Sequence, residues 1–280
     1  MIEVAHRDGY RAFARWWAPP QPRGAVLYLH GIQSHGGWYE QSGQHLADAG
    51  LAVLMPDRRG SGRNLAGRGH ADVHEQWLRD LEDAIAMLCE RAGVDHVHVV
   101  GVSWGGKLAA AAAGSGIERI ASLTLIAPGI FPRIDLPVGE KMKIAWSLVA
   151  DRERTFPIPL DDARLFTANP ERMAWVDADP HRLRAVTGPF LVASRRLDRR
   201  ARDLPESAWG GPVLLLTAEH DRIIDNVRTR QWFARLRGPR RRLIEYAGTH
   251  HTLEFEPDPD PMRRDVREWI LGHCQSAALR

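Results

Sequence analysis

Short uninterrupted apolar runs alternate along the chain with longer segments in which apolar residues recur at helical spacing. Runs at residues 25–29 (AVLYL), 51–55 (LAVLM), 97–102 (VHVVGV), 120–127 (IASLTLIA) and 212–216 (PVLLL) predict strands buried on both faces, and 242–246 (RLIEY) predicts a further strand. Between them, residues 38–49 predict a helix closed by Gly50. Residues 73–92 place Trp77, Leu81, Ile85 and Leu88 at helical spacing, and 106–113 (GKLAAAAA) opens another helix. At the start, residues 2–6 and 10–17 flank Arg7-Asp8-Gly9 and predict a hairpin, after which Pro19, Pro20 and Pro22 break the chain. Strands alternating with helices define an α/β class with a doubly wound, mostly parallel sheet.

The alternation stops near Pro132. From 133 to 208 the sequence is richer in Pro, Arg and Trp, with helical fragments such as 141–150 (KMKIAWSLVA) and no strong strand. The expected organisation is a sheet core of 1–132 and 209–280, interrupted by a helical cap over 133–208. No internal repeat or low-complexity tract is present.

The 280 residues, 44% of them hydrophobic, are enough for one large core. Lys and Arg exceed Asp and Glu by only three. The arginine clusters at 195–202 and 235–242 have no interleaved aromatic residues to stack on bases, so they read as solvated surface, not a nucleic-acid site. Two cysteines, Cys89 and Cys274, make no disulfide framework and fit a reducing compartment. The segment MIEVAHRDGY has no apolar signal core and no run reaches membrane-spanning length, so the expected address is cytoplasmic.

The chemistry centres on Gly101-Val102-Ser103-Trp104-Gly105, a G-x-S-x-G pattern between a strand-like and a helix-like segment. A serine on so sharp a turn is held clear of the sheet, and its small flanking residues let strand and helix close up. Its hydroxyl needs a base that is itself oriented by an acid. Active groups in such sheets sit after the strand ends, which selects Asp221 after strand 213–217 and His251 after strand 242–246. The backbone N–H of Trp104 is one expected oxyanion donor, and that of Ile32, after the strand ending in His30-Gly31, is the second. His250 adjoins His251, and Asp225 competes with Asp221. Gly248 spacing favours His251, and the nearer strand end favours Asp221, leaving Asp225 to begin a helix.

Other residues carry two readings each. His30 reads as a structural tie of the oxyanion loop. His35 faces either a substrate head group or solvent. His70 and His74 have the i, i+4 spacing of a zinc pair, but no third ligand is evident, so no metal site is assigned and they read as surface histidines. Asp57, beside Arg58 and Arg59, reads as part of a salt-bridged loop. Trp146, Leu148 and Val149 line an acyl tunnel, touch a membrane surface, or simply pack the cap on the core.

These motifs together resemble the monoacylglycerol lipase and lysophospholipase branch of the serine α/β-hydrolases. HGIQSHGGWY resembles that family's HGxxxHxxRY, and DRRGSG its D-x-R-G-x-G loop. GVSWGG resembles the nucleophile motif, LLLTAEHDRIID the acid strand, and YAGTHHTLEFE the G-x-x-H-x-L-x-x-E that aligns the base with His251. FPIPLDDARLFTANPER and DADPHRLRAVTGPFL in the insertion also resemble the family. One departure stands out: where the family has Arg-Tyr, this chain has Gly37-Trp38-Tyr39, which alters the pocket wall. The resemblance implies an α/β-hydrolase fold and a Ser103–His251–Asp221 triad cleaving a small-molecule or lipid ester through an acyl-serine. Neither a cofactor nor a metal is called for. His35, Trp38 and Trp146 are the candidate pocket residues, with transient membrane contact through the cap. Ser103 at the elbow disfavours dehalogenase and epoxide hydrolase chemistry, whose elbows carry aspartate. An acyltransferase or thioesterase with the same triad, and a non-catalytic binding protein of this fold, remain as alternatives, and oligomeric state is not readable.

Overall fold

The computed structural model describes residues 1–204, 209–238 and 240–274. The boundary expected at 208 falls at residues 205–208, which with Pro239 and residues 275–280 lie outside the described residues. The described residues form the strands β1 (Ile2–Ala5), β2 (Arg11–Trp17), β3 (Ala25–Leu29), β4 (Ala52–Pro56), β5 (Val97–Val102), β6 (Ile120–Ile126), β7 (Thr155–Pro157), β8 (Ala185–Thr187), β9 (Val213–Ala218) and β10 (Arg241–Tyr246), all but β7 and β8 on the expected runs. The helices are α1 (Glu40–Asp48), α2 (His74–Ala92), α3 (Trp104–Ala113), α4 (Val138–Ala150), α5 (Pro170–Ala178), α6 (Gly188–Arg202), α7 (Asn226–Arg235) and α8 (Asp260–Cys274).

Eight strands form one sheet in the order β1-β2-β4-β3-β5-β6-β9-β10. The β1–β2 hairpin and the β2–β4 pair are antiparallel, and every other pairing is parallel. All residues of β3, β5 and β9 are buried, which explains why these strands lack an alternating pattern: helices cover both faces. From β3 the chain moves outward to β4, then returns to place β5 on the other side of β3. The strand order therefore reverses between β3 and β5, and the crevice beyond their carboxyl ends is where ligands bind in sheets of this kind.

Residues 133–204 contribute nothing to the eight-stranded sheet. They hold α4, α5, α6 and, unlike the expectation of no strong strand, an antiparallel ribbon of β7 with β8. Each ribbon strand has three residues, too few for a periodic signal, and their pairing spans about thirty positions of chain. In α6, Phe190, Ala193, Leu197 and Ala201 form the buried face while Arg195, Arg196, Arg199 and Arg200 face solvent, as the arginine cluster suggested. Asn169 caps α5 by accepting from Glu171 N, and Asp225 caps α7 by accepting from Arg228 N at 3.1 Å.

Candidate active site

Ser103 joins β5 to α3 with φ 52° and ψ −115°, a conformation costly for a residue with a Cβ. Hydrogen bonds hold the turn: Ser103 N donates to Ile126 O (2.9 Å), and Ser103 O accepts from Gly106 N (2.9 Å) and Gly129 N (2.7 Å). The flanking glycines are needed because of close approach. A Cβ on Gly101 would stand 2.5 Å from Gly105 O, and one on Gly105 would overlap Leu29 O at the end of β3. Side chains at either position would push α3 off the sheet and move Ser103.

The loops after β9 and β10 bring Asp221 and His251 together. His251 Nδ1 lies 2.8 Å from Asp221 Oδ2, and both side chains are buried. The other carboxylate oxygen, Asp221 Oδ1, accepts from Ile223 N and Ile224 N, each at 2.8 Å. Those two backbone donors suit a carboxylate acceptor, and a carboxylate facing Nδ1 selects, for the neutral ring, the tautomer with its proton on Nδ1 and its lone pair on Nε2. His250 points elsewhere, to Glu256 Oε1 at 3.1 Å. A small cavity is walled by Gly31, Ile32, Ser103 and His251 together. Among the described residues Ser103 Oγ makes no hydrogen bond to the imidazole. Such contacts are commonly long before substrate arrives.

Gly31 brings the loop after β3 against Ser103, since a Cβ there would lie 3.5 Å from Ser103 Cβ. His30 is structural: Nδ1 donates to Gly31 O (2.8 Å) and Nε2 accepts from Arg58 N (2.8 Å). Burial, reinforced by the Arg58 cation, keeps its pKa well below the usual histidine value and hence the ring neutral. Among the described residues Ile32 N donates to no protein acceptor. Trp104 N, at the start of α3, has no intrahelical partner.

A cavity of about 500 Å³ opens beside Ser103 and is bounded by Ile32, Trp104, Ile144, Leu148 and Leu191 among others. Of the candidate pocket residues, Trp38 borders only the small cavity beside Ser103 and His251. Two candidates need correcting. Trp146 is 68% exposed on the outer face of α4, because the helix turns Ile144, Ala145 and Leu148 inward instead. His35 borders neither cavity, being committed to Asp179, with Nε2 to Oδ2 at 3.0 Å. The Trp38 indole donates to the same oxygen at 2.7 Å. Burial raises the Asp179 pKa, but hydrogen bonds from His35, Trp38 and His181 N overcome it and hold the carboxyl at about 2. Arg182, one turn on, donates to Gln33 Oε1 through Nε (3.1 Å) and Nη2 (3.0 Å). The loop carrying Ile32 is thus fastened to residues 179–182.

Other expectations are refined. Asp57 is salt-bridged, but to Arg15 on β2 at 3.0 Å and not to the arginines beside it; Arg59 pairs with Asp80 and Asp8. His74 is buried, not at the surface, and pairs with Glu75, while His70 bonds Thr187 Oγ1 at 3.0 Å. Among the described residues no group of three or more His, Cys, Asp or Glu side chains is arranged to hold a metal. Sequence reasoning missed Lys107 and Asp198. The buried Lys107 Nζ donates to Asp198 Oδ1 (2.5 Å) and Ser194 Oγ (2.8 Å), joining α3 to α6 at the cavity wall.

A strained serine between a parallel strand and a helix, with the sheet order above, defines an α/β-hydrolase. The chain belongs to the hydrolase family described as serine aminopeptidase, S33, whose model matches residues 20–258. It is 27% identical to a monoacylglycerol lipase of Mycolicibacterium smegmatis over 95% of this chain and 94% of that one. Identity to rat monoglyceride lipase is 22%, over 99% and 92% of the two chains. Among solved structures, the monoacylglycerol lipase of Paleococcus ferrophilus superposes with a TM-score of 0.83 at 22% identity, covering 94% of this chain and all of that one. A soluble variant of the Saccharomyces cerevisiae monoglyceride lipase, in complex with a substrate analog, gives 0.84 at 18% identity over 98% and 96%. This chain is accordingly a monoacylglycerol lipase-like α/β-hydrolase.

Proposed function

We propose that this chain is a serine hydrolase that cleaves carboxylic esters of monoacylglycerol or lysophospholipid type. The observation that carries the reading is that His251, backed by buried Asp221, shares one cavity with Ser103 on its strained turn. Ser103 Oγ attacks the ester carbonyl as His251 Nε2 takes its proton, and Asp221 steadies the imidazolium. The N–H groups of Ile32 and Trp104 bind the oxygen that becomes negative. Collapse expels the alcohol, protonated by His251, and leaves an acyl-serine. Water, deprotonated by the same imidazole, then releases the acid. The chemistry needs no metal or organic cofactor.

The mostly apolar wall of the large cavity suits an acyl chain, and the named relatives act on monoacylglycerols, which favours that substrate class. We read residues 133–208 as the cap over a core of 1–132 and 209–280. Its α4 is apolar on two sides: Ile144 and Leu148 face the cavity, while Val138, Met142, Trp146 and Val149 recur along one outer face and are exposed. An exposed apolar stripe beside the cavity supports transient contact with a lipid surface. No helix among the described residues is long and apolar enough to cross a membrane, and the two free cysteines fit a cytoplasmic address.

A panel of monoacylglycerols, lysophospholipids and p-nitrophenyl esters tests the reading, with wild type compared to Ser103→Ala. Turnover of long-chain monoacylglycerols or lysophospholipids that Ser103→Ala abolishes is expected. Turnover that survives Ser103→Ala would overturn the assignment. Product analysis with added alcohol separates hydrolysis from acyl transfer.

A further inference from the structure

Arg58 follows β4 in the loop that begins at Asp57. Arg58 is half-buried with its Nε shut off from solvent, yet it forms no ion pair with a carboxylate among the described residues, since Asp57 is taken by Arg15. A guanidinium removed from water without a counter-ion is costly, and structures rarely keep one without a use. Burial draws its pKa down to about 9, with the charge of Asp57 acting the other way, so the group remains cationic near neutrality.

Its contacts fall on both of the expected oxyanion donors. Nη1 donates to Gly31 O at 3.2 Å and Nη2 to Ile32 O at 2.9 Å. The guanidinium also lies over the Trp104 ring, 4.4 Å from its centroid, and 5.6 Å from that of Phe190. The Arg58 backbone N–H donates to His30 Nε2, which fixes the His30 proton on Nδ1, and that proton goes to Gly31 O as well. The Gly31 carbonyl is thus held by two donors that Arg58 either supplies or orients.

The peptide joining Gly31 to Ile32 is trans, so its C=O and N–H point in opposite directions. Fixing the carbonyl toward Arg58 and His30 fixes the Ile32 N–H on the far side. A cation bonded to the carbonyl also polarises the peptide and strengthens its N–H as a donor. We propose that Arg58 is a positioning residue of the oxyanion hole, acting through the Gly31–Ile32 peptide to aim and strengthen the Ile32 N–H. This inference rests on the reading that Ile32 N binds the oxyanion of a Ser103 adduct.

The test uses Arg58→Met, which keeps an unbranched apolar stem and loses charge and donors, and Arg58→Lys, which keeps charge but not the two-pronged grip. Two ligands are compared: a trifluoromethyl ketone, which forms a tetrahedral anionic adduct on serine, and the matching amide, which stays planar and neutral. Arg58→Met is expected to lower kcat on a p-nitrophenyl ester about 10–100-fold with KM little changed. Affinity for the ketone should fall by a similar factor and affinity for the amide hardly at all, with Arg58→Lys intermediate. Equal losses for both ligands would mean a merely structural role and overturn the proposal. If Arg58→Met fails to fold, wild-type kcat in Arg58→Lys would overturn it equally. Full activity in folded Arg58→Met alongside an inert Ser103→Ala removes only the Arg58 assignment, whereas an active Ser103→Ala removes the reading beneath it.

Discussion

The His251 imidazole rests on Asp221 at 2.8 Å, with neither side chain more than 2% exposed, while neighbouring His250 turns to Glu256. Two adjacent histidines thus have separate partners, and their substitutions should separate as cleanly. His251→Ala should cost about 10³-fold or more in kcat, as removal of a triad base does, and His250→Ala no more than about tenfold. Steady-state kinetics on one soluble ester decides it; the reverse order would place the base at His250.

The Lys107–Asp198 pair sits in the wall between α3 and α6. Asp198→Leu leaves a buried ammonium without its counter-ion and should cost about 3–5 kcal/mol in denaturant unfolding. The double variant Lys107→Met with Asp198→Leu should recover most of that loss. A double variant no more stable than Asp198→Leu would show that the pair is not the source of the effect.

His98, on β5, gives the fold a pH dependence in which His251 takes no part. Burial, with His273 nearby, lowers its pKa from 6.5 to about 4. Between those values the unfolded chain binds a proton that the folded chain refuses, so stability is lost as pH falls from about 6.5 to about 4. The loss should reach about 3 kcal/mol at the acid end. In His98→Asn this contribution is absent, and its stability relative to wild type should improve on acidification. A difference between the two proteins that stays constant from pH 7.5 to pH 4.5 would refute this.

Trp146 offers a test of the outer face of α4. Trp146→Glu should weaken sedimentation with anionic phospholipid vesicles and slow turnover of vesicle-borne monoacylglycerol several-fold, about the effect of losing one large interfacial anchor. Turnover of a short soluble ester should be unchanged, since Trp146 does not border the cavity. Equal loss on both substrates would assign Trp146 to the packing of α4.

Much of this was legible in the chain because it depends on local pattern. Strands buried on both faces must be continuously apolar, and Ser103, Asp221 and His251 follow strands whose ends the pattern marks. What escaped reading depends on contacts far apart in sequence. Nothing near His35 or Trp38 announces that Asp179, some 140 residues away, will bind both. Lys107 reads as an ordinary helix residue until Asp198 closes over it. In α4, apolar residues surround the helix, so spacing alone cannot say that Leu148 faces the cavity and Trp146 the solvent. Arg58 belongs to a loop that reads as salt-bridged, and only the fold reveals that its guanidinium donates to Gly31 O and Ile32 O.

Everything proposed for this site depends on Ser103 being the nucleophile. Intact-mass analysis after treatment with a fluorophosphonate, followed by peptide mapping, tests it most directly. One adduct is expected, on Ser103, complete in wild type and absent from folded Ser103→Ala. An adduct mapped to another serine, or undiminished labelling of Ser103→Ala, would contradict it.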